Sequence, residues 1–129
     1  SAASDVYKRQ VVKMLSPLCI RLHKAENNSD KYISVANPDF TEIAKQVIKE
    51  QLVESGFDDK LISNFEIKPL NAKKTVVYHY KNYIECSLGS FSINADKSVI
   101  NYLLKSGIGS RKSAGFGFAE LLSEGGEPN

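Results

Sequence analysis

Residues Lys105 to Glu120 read KSGIGSRKSAGFGFAE, and the elements on either side of this segment limit the possible folds. Two pairs of glycines flank a basic, hydroxyl-rich centre. Glycines let backbone N–H groups turn outward and let a bulky phosphate chain approach closely, while arginine and lysine add positive charge. The pattern therefore predicts a loop that binds a nucleic-acid backbone through Gly107, Gly109, Ser110, Arg111, Lys112, Ser113, Gly115 and Gly117.

Three familiar motifs do not fit this segment. A Walker A loop needs a glycine directly before its lysine, but Arg111 precedes Lys112. A dinucleotide fingerprint lies between a strand and the following helix, whereas this loop follows a helix and leads into a strand. Gly115 to Phe118 matches the aromatic strand signature of the RNA recognition motif. In that fold a helix and a strand follow the signature, whereas here it is the last element, so this fold is rejected although RNA binding is not.

The residues upstream of the loop predict strands followed by a short helix. The helix is expected from an N-cap at Asp96 to Lys105, with Gly107 as its stop. In the strand from Ile84 to Ile93, the apolar positions shift by one residue across Gly89, which predicts a β-bulge or a tight bend. Further strands are expected at Phe65–Ile67, Thr75–Tyr80 and Phe116–Leu121.

The first half of the chain contains the clearest helix. Asn37 is expected as its N-cap and Pro38 as its first residue, and apolar side chains recur with a helical period until Gly56. Before it, strands are expected at Val11–Leu22, interrupted at Ser16–Pro17, and at Tyr32–Val35. The order strands, helix, strands, helix, strand predicts an α+β fold: a ferredoxin-like antiparallel sheet with two helices on one face.

Length and charge limit the class of protein. A chain of 129 residues suits one domain with its own core. The net charge is only +2, so bulk electrostatics alone do not indicate nucleic acid, and the positions of the basic residues near turns matter more. No apolar run is long enough to span a bilayer and no secretion leader is present, so we expect no membrane partner and a cytoplasmic location.

Cysteines and histidines give no sign of a metal or a cofactor. Cys19 and Cys86 each lie in an apolar, strand-like stretch and are expected to be buried, reduced thiols. His23 and His79 are the only histidines, and no cluster has zinc-ligand spacing. The sequence therefore predicts no metal site and no cofactor, and both histidines are interpreted as ordinary packed or half-exposed residues.

Both ends of the chain are expected to lie outside the domain. The run DVYKRQ, Asp5 to Gln10, resembles a translated sequencing-library adapter, so residues 1–10 are interpreted as a non-native leader with natural protein upstream. The alternative is a natural N-terminal strand, since Val6 and Tyr7 are compatible with one. The domain is expected to span residues 11–122, and residues 123–129 to form a flexible tail.

Several of these segments together resemble a known family. The loop GIGSRKSAGFGFAEL resembles the hallmark of the repeat-associated RNA-binding superfamily. Within it, KMLSPLCIRL (Lys13 to Leu22), the helix from Asp39, and the segment NYIECSLGSFSINADKSVINYLLKSGIG are similar to the CRISPR repeat-processing endoribonuclease. The resemblance covers Val11 to Leu122. These enzymes usually have two ferredoxin-like domains in tandem, and this chain resembles the second.

The resemblance implies binding of CRISPR repeat RNA and its metal-independent cleavage. The ribose 2′-hydroxyl attacks the adjacent phosphate and leaves a 2′,3′-cyclic phosphate and a 5′-hydroxyl end, with a histidine as general acid or base. That histidine usually lies in the N-terminal domain, which we expect to be missing here. The catalytic residues and the chain's own activity therefore stay unassigned. The expected partners are repeat RNA, the N-terminal domain and other CRISPR effector subunits.

Two other functions stay open at this point. One is a non-catalytic RNA-binding subunit of a CRISPR effector complex, and the other is a ferredoxin-like assembly domain that does not bind RNA. A histidine in the upstream domain would favour the nuclease. Partner binding that survives the loss of Arg111 and Lys112 would favour the assembly domain.

Overall fold

The computed structural model describes residues 9–24 and 29–123. Within these ranges no helix is both long and apolar enough to cross a membrane. The strands are β1 (Arg9–Met14), β2 (Ile20–Lys24), β3 (Ser29–Ile33), β4 (Glu66–His79), β5 (Asn82–Asn94) and β6 (Ala119–Ser123). The helices are α1 (Phe40–Glu54), α2 (Asp59–Ser63) and α3 (Lys97–Ser106), and a 3₁₀ turn spans Lys112–Ala114.

The main sheet has four strands in the order β4-β5-β1-β6, and every neighbouring pair is antiparallel. α1 lies between β1 and β4 in sequence, and α3 connects β5 to β6. A separate β2–β3 hairpin is inserted before α1. Without this hairpin and the short α2, the chain follows the βαββαβ order of a ferredoxin-like sandwich. The predicted α+β fold is therefore confirmed.

One apolar core joins both long helices to the sheet. The rings of Phe40 on α1 and Phe91 on β5 lie 6.1 Å apart. Each large apolar side chain buried in this way contributes about 1.5–3 kcal/mol relative to exposure. The helices supply Phe40, Ala44, Ile48, Leu52, Val99, Ile100 and Leu103 to this core, and the sheet supplies Val12, Met14, Ile67, Phe91 and Ile93. A smaller cluster is formed by Cys19, Ile84, Cys86 and Phe116.

The predicted start of α1 is two residues early. The side-chain oxygen of Asn37 accepts the N–H of Asp39 at 2.7 Å, and its carbonyl accepts the N–H of Phe40 at 3.0 Å. These bonds close a turn, so Asn37 and Pro38 precede the helix and Asp39 is the N-cap. The predicted end is confirmed, because the N–H of Gly56 bonds to the carbonyl of Val53 just past the last helical residue.

Helix α3 matches its prediction closely, whereas the strands before it do not. A carboxylate oxygen of Asp96 accepts the N–H of Ser98 at 2.8 Å, as an N-cap does. The two strands predicted at Phe65–Ile67 and Thr75–Tyr80 are one continuous strand, β4. It pairs with β5 along its whole length and forms a long hairpin. The helix α2 was not predicted.

Gly89 is not the site of the register shift. It pairs with Ala72, and the shift lies on the partner strand between Pro69 and Asn71. Of the two predicted alternatives, a bulge or a tight bend, the bulge at Gly89 is therefore wrong. The φ of Gly89 is +119°, and a Cβ atom there would lie 2.1 Å from the carbonyl oxygen of Asn71. Glycine is needed here because the two backbones approach too closely for any side chain.

The first and last strands extend slightly past residues 11 and 122, whereas the domain boundaries themselves stay a prediction. Arg9 pairs with Asn94, so β1 begins two residues before the expected start at residue 11. The last strand begins at Ala119, not at Phe116, and it includes Ser123, which was assigned to the tail. Residues 1–8 and 124–129 lie outside the described residues, and so do the leader and tail predictions made for them.

We expect Gly89→Ala to lower the free energy of unfolding by about 3 kcal/mol or more, because it combines a positive φ with a severe steric overlap. Gly56→Ala is the matched control, since Gly56 also has a positive φ but nothing lies within 4 Å of its Cβ position. The control should lose only about 1 kcal/mol. Urea denaturation measures both values, and equal losses would contradict the close approach of Asn71.

Candidate functional site

The glycine-rich segment forms a compact loop between α3 and β6. α3 ends at Gly107, whose N–H bonds to the carbonyl of Leu103 at 2.9 Å. The chain then turns through the 3₁₀ segment Lys112–Ala114. The N–H of Ile108 closes the loop on the carbonyl of Gly117 at 2.8 Å. Ile108 and Gly117 therefore meet at the base of the loop, and the basic residues Arg111 and Lys112 lie between them in the chain.

The loop is attached to the β1–β2 connection by main-chain hydrogen bonds. The N–H of Gly117 bonds to the carbonyl of Pro17 at 2.8 Å, and the N–H of Ser110 bonds to the carbonyl of Cys19 at 2.8 Å. The side-chain oxygen of Ser110 accepts the N–H of Arg21 at 3.1 Å. These bonds fix both sides of the loop to a segment that is distant in sequence.

Two of the glycines predicted to bind RNA are required for packing within the chain itself. A Cβ on Gly117 would lie 2.1 Å from the carbonyl oxygen of Ile108, and a Cβ on Gly109 would lie 2.7 Å from that of Cys19. Both glycines are buried, as is Gly107. The missing side chains let Gly117 pack against the backbone of the loop itself and let Gly109 pack against the backbone of the β1–β2 connection. Among the predicted site residues, the exposed or half-exposed ones are Ser110, Arg111, Lys112, Ser113 and Gly115.

Arg111 is held in place by a tyrosine. Its Nε–H donates to the hydroxyl of Tyr32 at 2.9 Å, and its guanidinium carbon lies 5.4 Å from the centre of the same ring. Such a cation–π contact adds about 0.5–1 kcal/mol at an exposed site. The bond to Tyr32 uses one of the five N–H donors that a guanidinium carries. Arg111 also has a left-handed backbone, with φ +56°.

Lys112 lies against a second tyrosine. Its ammonium nitrogen is 6.0 Å from the centre of the Tyr102 ring, and its side chain packs where a Cβ on Gly107 would lie. The Tyr102 hydroxyl accepts hydrogen bonds from Ser55 at 2.6 Å and from Gln51 at 3.2 Å. Burial alone would raise the pKa of Tyr102, but these hydrogen bonds and the charge of Lys112 outweigh it and hold the pKa below its usual value.

Gln51 is a loop-contacting residue that the sequence analysis missed. It is a buried amide on α1 that bonds to both Gly107 and Gly109. The signal in the sequence was its position, because Phe40, Ala44 and Ile48 precede it at spacings of four residues and Gln51 follows three residues later on the same face. A polar residue at a core position of an amphipathic helix needs a specific partner.

The loop, β2 and α1 surround a cleft of about 680 Å³. Arg111 and Lys112 line it from the loop and Arg21 lines it from β2, whereas α1 contributes Glu42, Glu50 and Glu54. The cleft therefore has a basic side and an acidic side, with Ile43 and Val47 between the charges on α1. A phosphate is attracted to the loop side and repelled from the helix side.

The two histidines lie in different surroundings. His23 lines the cleft, is exposed, and its Nδ1 lies 2.8 Å from a carboxylate oxygen of Asp30. This hydrogen bond is the main cause that lowers the pKa of Asp30. His79 instead packs edge-on against Phe116, with ring centres 5.8 Å apart. The described residues contain no group of three or more His, Cys, Asp or Glu side chains that could hold a metal ion.

The two cysteines, which are distant in sequence, lie in one buried cluster. Leu18 and Ser87 exchange both backbone hydrogen bonds, which brings the adjacent residues Cys19 and Cys86 side by side. Both thiols are fully buried and free. Burial raises the pKa of Cys19 to about 12 and that of Cys86 to about 11. The prediction of buried thiols is therefore confirmed.

The family model described as "CRISPR associated protein Cas6, C-terminal" matches residues 2–121. This chain belongs to that family. The family agrees with the resemblance found in the loop and in the segments before it. No curated protein matches the chain significantly.

Three solved structures have a similar fold. A Cas6-related protein from Pyrococcus furiosus has a TM-score of 0.74 at 21% identity, over 92% of this chain and 49% of its own. A RAMP protein described as binding different RNA substrates has a TM-score of 0.75 at 25% identity, over 90% and 49%. Thermus thermophilus Cas6 has a TM-score of 0.59 at 14% identity, over 91% and 54%. The chain spans about half the length of these proteins.

We expect neither thiol to react with DTNB at pH 8 while the protein is folded. The reactive form is the thiolate, and pKa values of about 12 for Cys19 and 11 for Cys86 leave both thiols protonated at that pH. In urea above the unfolding transition, both should react rapidly. Fast labelling of either cysteine in the folded state would contradict the burial of this cluster.

Proposed function

We propose that this chain is the C-terminal ferredoxin-like half of a Cas6-type protein that processes CRISPR RNA, and that its glycine-rich loop binds the backbone of repeat RNA. The observation that carries the proposal is the pair of cations on the loop. Arg111 and Lys112 each lie against a tyrosine ring and both line one cleft, beside Arg21. Cations that are already oriented lose little side-chain entropy when a phosphate binds.

The chemistry of the loop suits a phosphate oxygen. The bond to Tyr32 leaves four N–H donors on the terminal nitrogens of Arg111. Ser110 accepts the N–H of Arg21 through its oxygen, so its O–H can serve as a further donor. Contacts of this kind position a nucleic acid and carry no sequence information, so this loop supplies affinity and register.

The acidic residues of α1 support a particular path for the RNA. Glu42, Glu50 and Glu54 lie along the helix side of the cleft. Like charges repel phosphates, so the backbone runs along the loop side, next to Arg111 and Lys112. The apolar surface of Ile43 and Val47 can receive bases or riboses in the same cleft.

The cleavage proposed for the complete protein is attack of a ribose 2′-hydroxyl on the adjacent phosphate, without a metal ion. It leaves a 2′,3′-cyclic phosphate and a 5′-hydroxyl end. In this proposal the C-terminal half binds and orients the RNA, and the general acid or base comes from the N-terminal domain. His23 is the one histidine of the described residues that lines the cleft, so it is the residue to test if this half cleaves alone.

We expect Arg111→Ala/Lys112→Ala to weaken binding of labelled CRISPR repeat RNA and of oligouridylate by about the same factor, since phosphate contacts do not read sequence. The slope of log affinity against log salt should become shallower by about 0.7 for each single-strand phosphate that the variant no longer neutralises. Fluorescence anisotropy at several salt concentrations measures both quantities.

The matched control is Lys60→Ala/Lys97→Ala, which removes the same charge from two exposed lysines that do not line the cleft. Its salt slope should stay close to that of the unsubstituted chain. If both double variants lower affinity and slope equally, binding depends on total charge and the loop proposal is wrong.

We expect this chain to bind repeat RNA in EDTA without cutting it, because the catalytic group is proposed to lie in the other half. Joining the N-terminal domain should restore cutting, with products that carry cyclic phosphate and 5′-hydroxyl ends. Denaturing gels and end-labelling measure this. Cutting by this chain alone that is abolished in His23→Ala would place the chemistry in this half, and a complete protein that never cuts would favour a non-catalytic RNA-binding subunit.

A further inference from the structure

Gln51 occupies a position on α1 where an apolar residue is expected. Its neighbours on the buried side of the helix are Phe40, Ala44, Ile48 and Leu52, and Gln51 is itself only 9% exposed. A buried amide without partners destabilises a protein, so a glutamine at such a position implies that its polar atoms are used.

Both ends of the Gln51 amide bond to the glycine-rich loop. Its Oε1 accepts the N–H of Gly109 at 2.9 Å, and its Nε2 donates to the carbonyl of Gly107 at 3.0 Å. The amide therefore pairs with the backbone on either side of Ile108, much as a neighbouring β-strand residue would. A glutamine side chain offers a neutral acceptor and a neutral donor at this reach at any pH, whereas asparagine offers the same groups but is one methylene shorter.

The two bonded glycines lie next to the two cations. Gly109 is followed by Ser110 and Arg111 in the chain. Gly107 packs against the side chain of Lys112: a Cβ atom on this glycine would lie 3.2 Å from Cγ of the lysine. The same Nε2 also donates to the hydroxyl of Tyr102, the ring that lies under Lys112. Gln51 therefore forms hydrogen bonds with residues that contact or precede the two cations, and none of these three bonds includes either cation.

We propose that Gln51 is a positioning residue for RNA binding: its amide holds the peptide groups of Gly107 and Gly109 so that Arg111 and Lys112 face the cleft. The proposal rests on the proposed function of the loop. It assigns a buried residue of α1, outside the glycine-rich motif, to the binding of the RNA backbone.

A double-mutant cycle tests this role in the full chain. Gln51→Leu keeps a side chain of similar size but removes all three hydrogen bonds of the amide. It should weaken repeat-RNA binding about tenfold, the effect expected when a displaced loop cation loses one charge-assisted hydrogen bond to a phosphate. In the Arg111→Ala/Lys112→Ala background the same change should have almost no further effect on affinity. A residue that supports only the general stability of the fold would weaken binding equally in both backgrounds.

Two further measurements separate positioning from stability. Amide hydrogen exchange at Gly109 should become faster in Gln51→Leu, because its N–H loses its acceptor. The control is Gln10→Leu, which removes a buried amide from β1 and should lower stability without changing RNA affinity. If Gln10→Leu weakens RNA binding as much as Gln51→Leu does, the positioning role is wrong.

Gln51→Glu provides a pH-dependent rescue. A carboxylate accepts the N–H of Gly109 but repels the carbonyl of Gly107, whereas a protonated carboxyl both donates and accepts. Affinity relative to the unsubstituted chain should therefore recover as pH falls through the carboxyl pKa. Absence of any recovery counts against the hydrogen-bond mechanism.

The two variants distinguish a failure of the positioning role from a failure of the proposed function. If Arg111→Ala/Lys112→Ala weakens binding but Gln51→Leu does not, the positioning role is overturned and the function of the loop stands. If neither change affects RNA binding, the proposed function falls and the role of Gln51 falls with it.

Discussion

Main-chain hydrogen bonds between the β1–β2 connection and the C-terminal loop hold the candidate site together. On one side of the connection, Leu18 exchanges two bonds with Ser87 of β5. On the other side, the carbonyls of Pro17 and Cys19 accept N–H groups of the loop. One short segment therefore joins the sheet, the small cysteine cluster and the loop. The β2–β3 hairpin, which carries Arg21 and Tyr32, continues from the same segment, so its contacts with Ser110 and Arg111 depend on these bonds.

The charge distribution explains why composition says so little about this domain. The chain has a net charge of +2, which is unremarkable for its size. The relevant charges are concentrated around one cleft, where two loop cations supported by aromatic rings lie across from glutamates of α1. Screening by salt limits the reach of surface charges to about 10 Å, so local arrangement matters more than the sum.

Local sequence signals were enough to predict the ends of α3 and the buried face of α1. The Asp96 cap, the stop of α3 at Gly107 and the stripe of α1 all follow from nearest-neighbour chemistry, and the structure has them. The register shift on β4 could not be predicted, because the positive φ of Gly89 and the approach of Asn71 involve two strands at once. The start of α1 was wrong because the side chain of Asn37 bonds in a turn instead of capping the helix.

In the candidate site, too, features that depend on neighbouring residues could be predicted and contacts between distant residues could not. The glycine frame predicted Arg111 and Lys112 as site residues, but it could not predict that these cations lie against Tyr32 and Tyr102, which are far away in sequence. The role of the glycines was also only partly predictable. Gly109 and Gly117 fit against Cys19 and Ile108 of this chain, and only the folded backbone reveals those contacts. Gln51 was identifiable as an anomaly on its helix, but not by its partners.

The attachment of the loop has a consequence for how the chain folds during synthesis. The hydrogen bond from Phe118 to the side chain of Ser16 spans 102 residues, and that between Arg21 and Ser110 spans 89. Contacts of such sequence separation slow folding, because the intervening chain must be ordered before they form. The ribosome makes the carbonyls of Pro17 and Cys19 long before their loop partners. β1 can pair with β5 before β6 is made, but the bonds between the β1–β2 connection and the loop can form only after the loop residues have been synthesised.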